Sequence, residues 1–173
     1  MKNFYPSQYK SDSEFKINHN YLKEQFSQNE EIFAEIGKVV KECDFTLGKA
    51  VDDVEVLIAK EAQTEHAIGV GSGTDALFLS LKMLGIREGD EVITTTYTFY
   101  ATIGAIVTAG AKPVFCDINE DFNLDVNQIE EKITSKTKAI IPVHWAGRPC
   151  DMDVINELAK KYNLFVVEDA CHA

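Results

Sequence analysis

The sequence lacks the features by which membrane, secreted and nucleic-acid-binding proteins are usually recognised. No apolar run approaches the length of a membrane-spanning helix, and residues 1–15 lack the apolar core of a signal peptide. The chain has 17 basic and 28 acidic residues, a formal net charge of −11, and its basic residues are scattered. These absences argue against membrane and nucleic-acid partners and predict a cytoplasmic protein.

Cysteine pairs are also missing. The four cysteines stand at positions 43, 116, 150 and 171, and none forms a CxxC pair. We therefore predict free, buried thiols, as expected in a reducing compartment. Zinc sites usually show paired ligands at short, fixed spacing, so a site built from His144, Cys150, Cys171 and His172 is disfavoured. No metal site is predicted.

The sequence instead shows alternating strand and helix patterns. The 173 residues are enough for one domain with a real core. We expect an irregular arm over residues 1–18, helices over 20–43 (interrupted near 27–29) and around 51–58, and then strands and helices in turn. The strands are predicted at 67–70, 91–95, 113–116, 138–143 and 164–167, and the helices between them at 74–84, 99–109, 126–133 and 152–162. This order predicts an α/β fold, a mostly parallel sheet with helices on both faces.

A glycine-containing turn precedes one predicted helix. Glycines in Gly71-Ser72-Gly73-Thr74-Asp75 let the backbone approach an anion, and the helix that follows directs free N–H groups towards it. No third glycine completes a dinucleotide fingerprint, and no Gly-Lys-Ser/Thr completes a P-loop. The turn predicts a phosphate site, and the alternative is an ordinary capped helix start.

An acidic pair follows the last predicted strand. Ligands of open α/β sheets lie at the carboxyl ends of the strands, where Glu168 and Asp169 are expected. A carboxylate beside a pyridine nitrogen keeps that nitrogen protonated, so Asp169 is a candidate partner for such a ring. The alternatives are a metal ligand and a solvated turn.

Aromatic and histidine side chains follow two other strands. Tyr97, Phe99 and Tyr100 come after the strand at 91–95, where an aromatic ring can stack on a flat cofactor or simply pack. His144 follows the strand at 138–143 and is a candidate proton carrier, with a structural, hydrogen-bonded histidine as the alternative.

Taken together, these segments resemble the DegT-type sugar aminotransferases, which are pyridoxal phosphate enzymes of fold type I. The resemblance runs from about residue 45 to the end and rests on eight ordered stretches. These stretches lie at residues 45–48, 71–77, 89–94, 98–102, 110–115, 137–144, 151–153 and 168–172. The resemblance implies that Gly73, Thr74 and Asp75 hold the phosphate of pyridoxal 5'-phosphate.

The same resemblance implies the remaining contacts to the cofactor and the reaction. Phe99 would stack on the pyridine ring, Asp169 would pair with the ring nitrogen, and His172 would lie near the phenolic oxygen. Family members transfer an amino group, usually from glutamate, to a nucleotide-linked keto-sugar, in the synthesis of polysaccharide or secondary-metabolite sugars. They act as homodimers.

The lysine that holds the cofactor covalently in this family lies downstream of the segment around Asp169, and no lysine of this chain matches its context. We therefore expect an N-terminal portion of such an enzyme, inactive by itself. Residues 1–44 would form an arm and helices, and residues 45–173 part of the cofactor-binding large domain. Two alternatives stay open: a sugar dehydratase of the same family, and a non-catalytic binding or assembly module.

Overall fold

A computed structural model describes residues 22–173, so the predicted arm over residues 1–18 lies outside the described part. The chain divides into two compact units, Met1–Ile68 and Gly69–Ala173. Within residues 22–173, no helix combines the length and the apolar character needed to cross a membrane.

The described part of the first unit is helical. Helices α1 (Leu22–Gln25), α2 (Asn29–Glu42) and α3 (Lys49–Glu61) occupy it, and the predicted interruption near residues 27–29 is confirmed. Helix α2 ends at Cys43, whose left-handed backbone (φ 57°) lets two helix carbonyls accept backbone N–H groups. None of the three helices contains a buried residue.

The second unit is built on a four-stranded parallel sheet with strand order β2-β1-β3-β4. The strands are β1 (Glu91–Thr95), β2 (Lys112–Cys116), β3 (Thr137–Ile141) and β4 (Phe165–Val166). In the central pair, Ile93 lies opposite Ile140. The prediction of a parallel sheet is confirmed.

Helices cover both faces of this sheet because successive strand residues point to opposite sides. Val92 and Ile141 pack on one face with apolar residues of α4 (Gly73–Met83) and α5 (Tyr100–Thr108). Ile93 and Ile140 pack on the other face with residues of α6 (Ile129–Lys132) and α7 (Met152–Tyr162). The predicted fold class, an α/β sheet with helices on both faces, is therefore confirmed.

Two predicted elements need correction. The predicted strand at residues 67–70 is wrong: these residues form no strand, and Ile68 and Val70 are 80% and 42% exposed. A strand shares its backbone hydrogen bonds with a neighbouring strand, and this segment is not paired with any of the four strands of the sheet. The predicted helix at residues 126–133 is divided into a 3₁₀ turn, Val126–Gln128, and the short helix α6.

Candidate functional site

A cavity of about 240 Å³ lies at the carboxyl edge of the sheet. Its walls come from the start of α4, the turn after β1 and the segments after β3 and β4, and include Gly73, Phe99, Val143 and Asp169. Backbone hydrogen bonds tie the last two segments together, since the Asp169 N–H donates to Pro142 and the His144 N–H donates to Asp169. The cavity is thus framed by the loops that follow three parallel strands, where ligands of such sheets bind.

The first turn of α4 forms one wall. Ser72 caps the helix by accepting the Asp75 N–H at 3.1 Å, and helix geometry leaves the N–H groups of Gly73 and Thr74 without an acceptor within the helix. A Cβ on Gly73 would lie 2.8 Å from Cys171 Sγ, so a side chain would crowd this approach. Gly73 and Thr74 line the cavity, and such a helix start suits an anion.

Asp75 contributes differently from its two neighbours. It does not line the cavity, and its N–H is already used by the Ser72 cap. A Cβ on Gly71 would lie 2.8 Å from Asp75 Oδ2, which places this carboxylate against the preceding turn. The Asp75 side chain thus lies against the turn, and its contact with a phosphate stays a prediction.

Asp169 is a buried carboxylate, 6% exposed, in the cavity wall. The Thr102 hydroxyl donates to its Oδ2 at 2.7 Å, and the Cys171 N–H donates to its Oδ1 at 3.4 Å. The hydrogen bond of the Cys171 thiol to this carboxylate, helped by partial burial, raises the pKa of Cys171. Asp169 is thus held on both oxygens, with a protonated thiol beside it.

His172 lines the cavity beside Trp145. The Ala146 N–H donates to His172 Nδ1 at 3.3 Å, and the Trp145 and His172 rings meet edge to face with centroids 5.2 Å apart. Because Nδ1 accepts this bond, a neutral His172 ring carries its proton on Nε2. The close backbone approach needs Gly147 (φ 83°), where a Cβ would lie 2.8 Å from the His172 carbonyl oxygen.

Buried Asn123 fixes the loop that carries Trp145. Its Oδ1 accepts the Trp145 N–H at 3.0 Å, and its Nδ2 donates to the carbonyls of Arg148 and Pro149 at 3.1 Å. Both polar atoms of its side-chain amide therefore bind one loop, so Asn123 supports this cavity wall from the interior.

The aromatic segment after β1 has two roles. Phe99 lines the cavity and is 61% exposed, so its ring is available to a ligand. Tyr97 packs instead against Trp145 and Phe122, with ring centroids 4.4 and 5.8 Å away. The stacking interpretation thus stays open for Phe99, and the packing interpretation describes Tyr97.

His144 is structural. It is buried, lies outside the cavity lining, accepts the Cys150 N–H at Nδ1 (3.2 Å) and places Nε2 2.8 Å from Glu168 Oε2. With Nδ1 accepting, Nε2–H donates to Glu168. Both ring nitrogens are therefore occupied, and the alternative of a structural histidine describes the residue better than that of a proton carrier.

All four cysteines are free, but the prediction that they are buried is correct only for Cys116 and Cys150. Burial raises the pKa of Cys116 to about 11 and also raises that of Cys150. Cys43 and Cys171 are exposed. In the described part of the chain, no cluster of three or more His, Cys, Asp or Glu side chains could hold a metal ion.

Sequence reasoning brought together most of this site but missed several of its residues. Gly73, Thr74, Phe99, Asp169 and His172 meet at one cavity. The roles of Thr102, Asn123, Trp145 and Cys171 were not predicted. Thr98 and Thr102, spaced four apart around a helix start, gave the one local signal, because that spacing puts two hydroxyls on the same side.

Comparison with known proteins places this arrangement in a family. The sequence profile of the DegT/DnrJ/EryC1/StrS aminotransferase family matches residues 27–173. The chain is 45% identical over 145 residues to the UDP-N-acetyl-3-dehydro-alpha-D-glucosamine 3-aminotransferase of Acidithiobacillus ferrooxidans, covering 83% of this chain and 39% of that protein. It is 49% identical over 127 residues to the GDP-perosamine synthase of Escherichia coli O157:H7, covering 73% and 35%.

Solved structures agree with these relatives. The S. venezuelae DesV structure with a ketimine intermediate matches with a TM-score of 0.86 at 41% identity, over 88% of this chain and 42% of that one. The NtdA structure from Bacillus subtilis, with bound cofactor PMP, matches with a TM-score of 0.82 at 38% identity, over 84% and 34%. The chain thus spans about 40% of the length of the curated relatives it matches. The chain belongs to the DegT/DnrJ/EryC1/StrS aminotransferase family.

Proposed function

We propose that this chain provides the cofactor-binding part of a pyridoxal phosphate-dependent aminotransferase that moves an amino group from glutamate to a nucleotide-linked keto-sugar. The single observation that supports it best is the buried Asp169 carboxylate in the wall of a cavity that also contains a helix N-terminus. A carboxylate and an anion site in one cavity match the ring nitrogen and the phosphate of this cofactor.

The residues present fit this cofactor. Gly73 and Thr74 would hold the phosphate through the start of α4, with Asp75 bracing the turn. The glycine matters because a side chain there would meet Cys171. We infer that these groups bind the phosphate mainly through backbone amides, so the Thr74 hydroxyl contributes less than the backbone does.

The other end of the cavity would hold the ring. Phe99 would cover one face of the ring, Asp169 would hold a proton on the ring nitrogen, and His172 would donate Nε2–H to the phenolic oxygen. When bound, the cofactor supplies an electron-accepting ring to the substrate carbon. The contribution of Asp169 is to keep the ring nitrogen protonated.

No described lysine lines the cavity, and we assign none of them to covalent attachment of the cofactor. Pyridoxamine 5'-phosphate carries an amine where pyridoxal phosphate has an aldehyde, so it binds without a lysine bond. It is therefore the probe that tests the residues of this chain directly.

We extend the proposal to the setting that the family resemblance implies. Residues 45–173 would belong to the large domain of a homodimeric, cytoplasmic enzyme that makes sugars for polysaccharides or secondary metabolites. The named relatives support it in part: one is a nucleotide-sugar aminotransferase, and another is a GDP-perosamine synthase. Sedimentation of the complete natural chain checks the dimer.

Asp169→Asn is the decisive substitution. In the complete natural chain we expect transamination from glutamate to fall by about two orders of magnitude, because a preorganised electrostatic partner is lost. The dissociation constant of pyridoxamine 5'-phosphate should rise about tenfold or more, as for the loss of a charge-assisted hydrogen bond. Enzyme kinetics with a panel of nucleotide-linked keto-sugars and an absorbance titration measure the two effects.

The neighbouring acid offers a matched control. Glu168→Gln keeps an oxygen to accept from His144 and lies outside the cavity lining, so it should change both quantities by less than about threefold. Normal turnover in Asp169→Asn, or an equal loss in Glu168→Gln, would refute the role of Asp169. A wild-type protein that binds no pyridoxamine 5'-phosphate would refute the proposed function.

A further inference from the structure

Two threonine hydroxyls form a chain behind the Asp169 carboxylate. Thr102 is fully buried, and its Oγ1 lies 2.7 Å from Asp169 Oδ2. The Thr98 hydroxyl lies 2.8 Å from that of Thr102. Thr102 belongs to the first turn of α5, and Thr98 lies just before that helix. These hydrogen bonds therefore link the start of α5 to a carboxylate that is distant in sequence.

The direction of these hydrogen bonds follows from a count of protons. An ionised carboxylate only accepts hydrogen bonds, and a hydroxyl has a single proton to donate. Thr102 uses its proton on Asp169, so the bond between the two hydroxyls must be donated by Thr98. The order is Thr98 to Thr102 to Asp169, with the Cys171 N–H on the other carboxylate oxygen.

The hydrogen-bonded threonines also lie on either side of Phe99, the residue proposed to cover the cofactor ring. Phe99 follows Thr98 directly, and its carbonyl accepts the Thr102 N–H at 3.2 Å. A displacement of Thr102 would therefore reach both the Phe99 backbone and the Asp169 carboxylate. Phe99 and Asp169, on the cavity wall, are thus both hydrogen-bonded to Thr102.

We propose that Thr102 is a positioning residue for the ring-nitrogen partner: it holds Asp169 at one angle relative to Phe99, and Thr98 completes the hydrogen-bond chain. This inference rests on the proposed function, because it assigns Thr102 an effect on a bound pyridine ring. It adds a residue that does not itself line the cavity.

A second buried threonine, Thr94, provides a matched comparison for Thr102. Thr94 is also fully buried, but its hydroxyl donates to the backbone carbonyl of Ile141 at 2.9 Å. That pattern satisfies a buried hydroxyl within the sheet and involves no ionisable group. Replacing either threonine by valine removes one buried hydroxyl at nearly equal volume, and only the Thr102 change frees a carboxylate oxygen.

The test is binding of pyridoxamine 5'-phosphate to the complete natural chain, followed by absorbance. We expect Thr102→Val to raise the dissociation constant about tenfold, because a hydrogen bond to a charged group is lost. Thr102→Ser restores the hydroxyl and should stay within about threefold of wild type, as should Thr94→Val. Thermal melting of the two valine variants measures how much each substitution lowers the stability of the fold.

A double-mutant cycle separates positioning from general structural damage. If Thr102 acts through Asp169, Thr102→Val should have an effect of less than about twofold when Asp169 is already alanine. A full tenfold effect in that background would overturn the inference, as would wild-type affinity in Thr102→Val or failure of Thr102→Ser to restore binding. If Thr102→Val does not fold, Thr98→Val serves instead, and because Thr98 itself lines the cavity it is measured in both backgrounds. It should weaken binding by about threefold with Asp169 present and leave binding unchanged with Asp169→Ala, and any other result would overturn the chain of hydroxyls.

Wild-type affinity distinguishes failure of the proposed function from failure of the inference about Thr102. If the wild-type protein binds no pyridoxamine 5'-phosphate, the proposed function fails and this inference fails with it. If the wild-type protein binds and Asp169→Asn weakens binding while Thr102→Val does not, only the inference about Thr102 is wrong.

Discussion

The helical unit (the described part of Met1–Ile68) and the sheet unit (Gly69–Ala173) differ in how far their apolar side chains are buried. Helices α2 and α3 contain no buried residue, and Phe33 and Leu57 are 65% and 60% exposed. In the sheet unit, Ile93 and Ile140 are fully buried between the sheet and its helices. Amphipathic sequence makes a helix in both places, but among residues 22–173 the buried apolar helix faces are those packed on the sheet.

The two units also differ in that the cavity lies in the sheet unit, where the buried core is. The walls of the cavity come from segments that adjoin the strands and helices of the sheet unit, and the segment with Asp169 is hydrogen-bonded to the one that follows buried strand β3. Precise placement of Asp169 and Phe99 depends on this rigid support, because loops gain precision from the elements that carry them. The candidate site therefore lies in the unit with the buried core.

The largest expected contrast comes from truncating one isoleucine in each unit. Ile140→Ala should lower the free energy of unfolding by about 3 kcal/mol, since it removes buried methylenes and leaves a cavity. Ile36→Ala, at a side chain 51% exposed, should cost about 0.5 kcal/mol or less. Urea unfolding of the complete natural chain measures both. Equal losses would contradict the contrast between the two units and show that the Ile36 face is covered in the assembled protein.

A buried thiol of the sheet unit gives a smaller, pH-dependent effect. The pKa of Cys116 rises from 9.0 to about 11 on burial, so the unfolded chain loses this proton at lower pH than the folded protein does. Stability should therefore fall as pH rises from 9 towards 11, by about 2 kcal/mol in total. Urea unfolding across this range measures the slope.

Two substitutions control this prediction. Cys116→Ala removes this thiol and should reduce the alkaline loss of stability by about 2 kcal/mol, leaving the smaller share of Cys150 and Cys171, whose pKa values are also raised. Val92→Ala, at another fully buried position, should lower stability at every pH and keep the slope. An unchanged slope in Cys116→Ala would show that the interior beside β2 does not resist the charged thiolate.

How far the sequence predicts this structure depends on the range of each interaction. Strand β1 and helix α7 were predicted with the bounds that the structure shows, because apolar alternation and capping residues are local signals. The apolar run at residues 67–70 carried the same local signal but is not a strand. Strand formation there depends on a pairing partner, which composition does not reveal.

The site shows the same limit. Asp169 and Gly73 could be found because each follows a recognisable turn or strand end. Thr102 could not, because its significance depends on a carboxylate 67 residues away. Asn123 was missed for a related reason, since an asparagine that fixes a loop 22 residues downstream resembles any turn asparagine in sequence. Contacts between segments, not residue types, define these supporting roles.

The smallest expected effect concerns how helices begin in the two units. Helix α7 is capped by Asp151, whose side chain accepts the Val154 N–H, whereas the N-cap of α2, Gln28, makes no such side-chain bond. We expect Asp151→Ala to cost about 1 kcal/mol and Gln28→Ser to add about 0.5 kcal/mol, because serine can accept a free N–H of the first turn. Urea unfolding and far-ultraviolet circular dichroism measure these changes, with Gln28→Ala as the matched control that supplies no acceptor. A gain in Gln28→Ala equal to that in Gln28→Ser would attribute the effect to removal of glutamine. No gain in either would mean that the start of α2 is stabilised by contacts other than a cap.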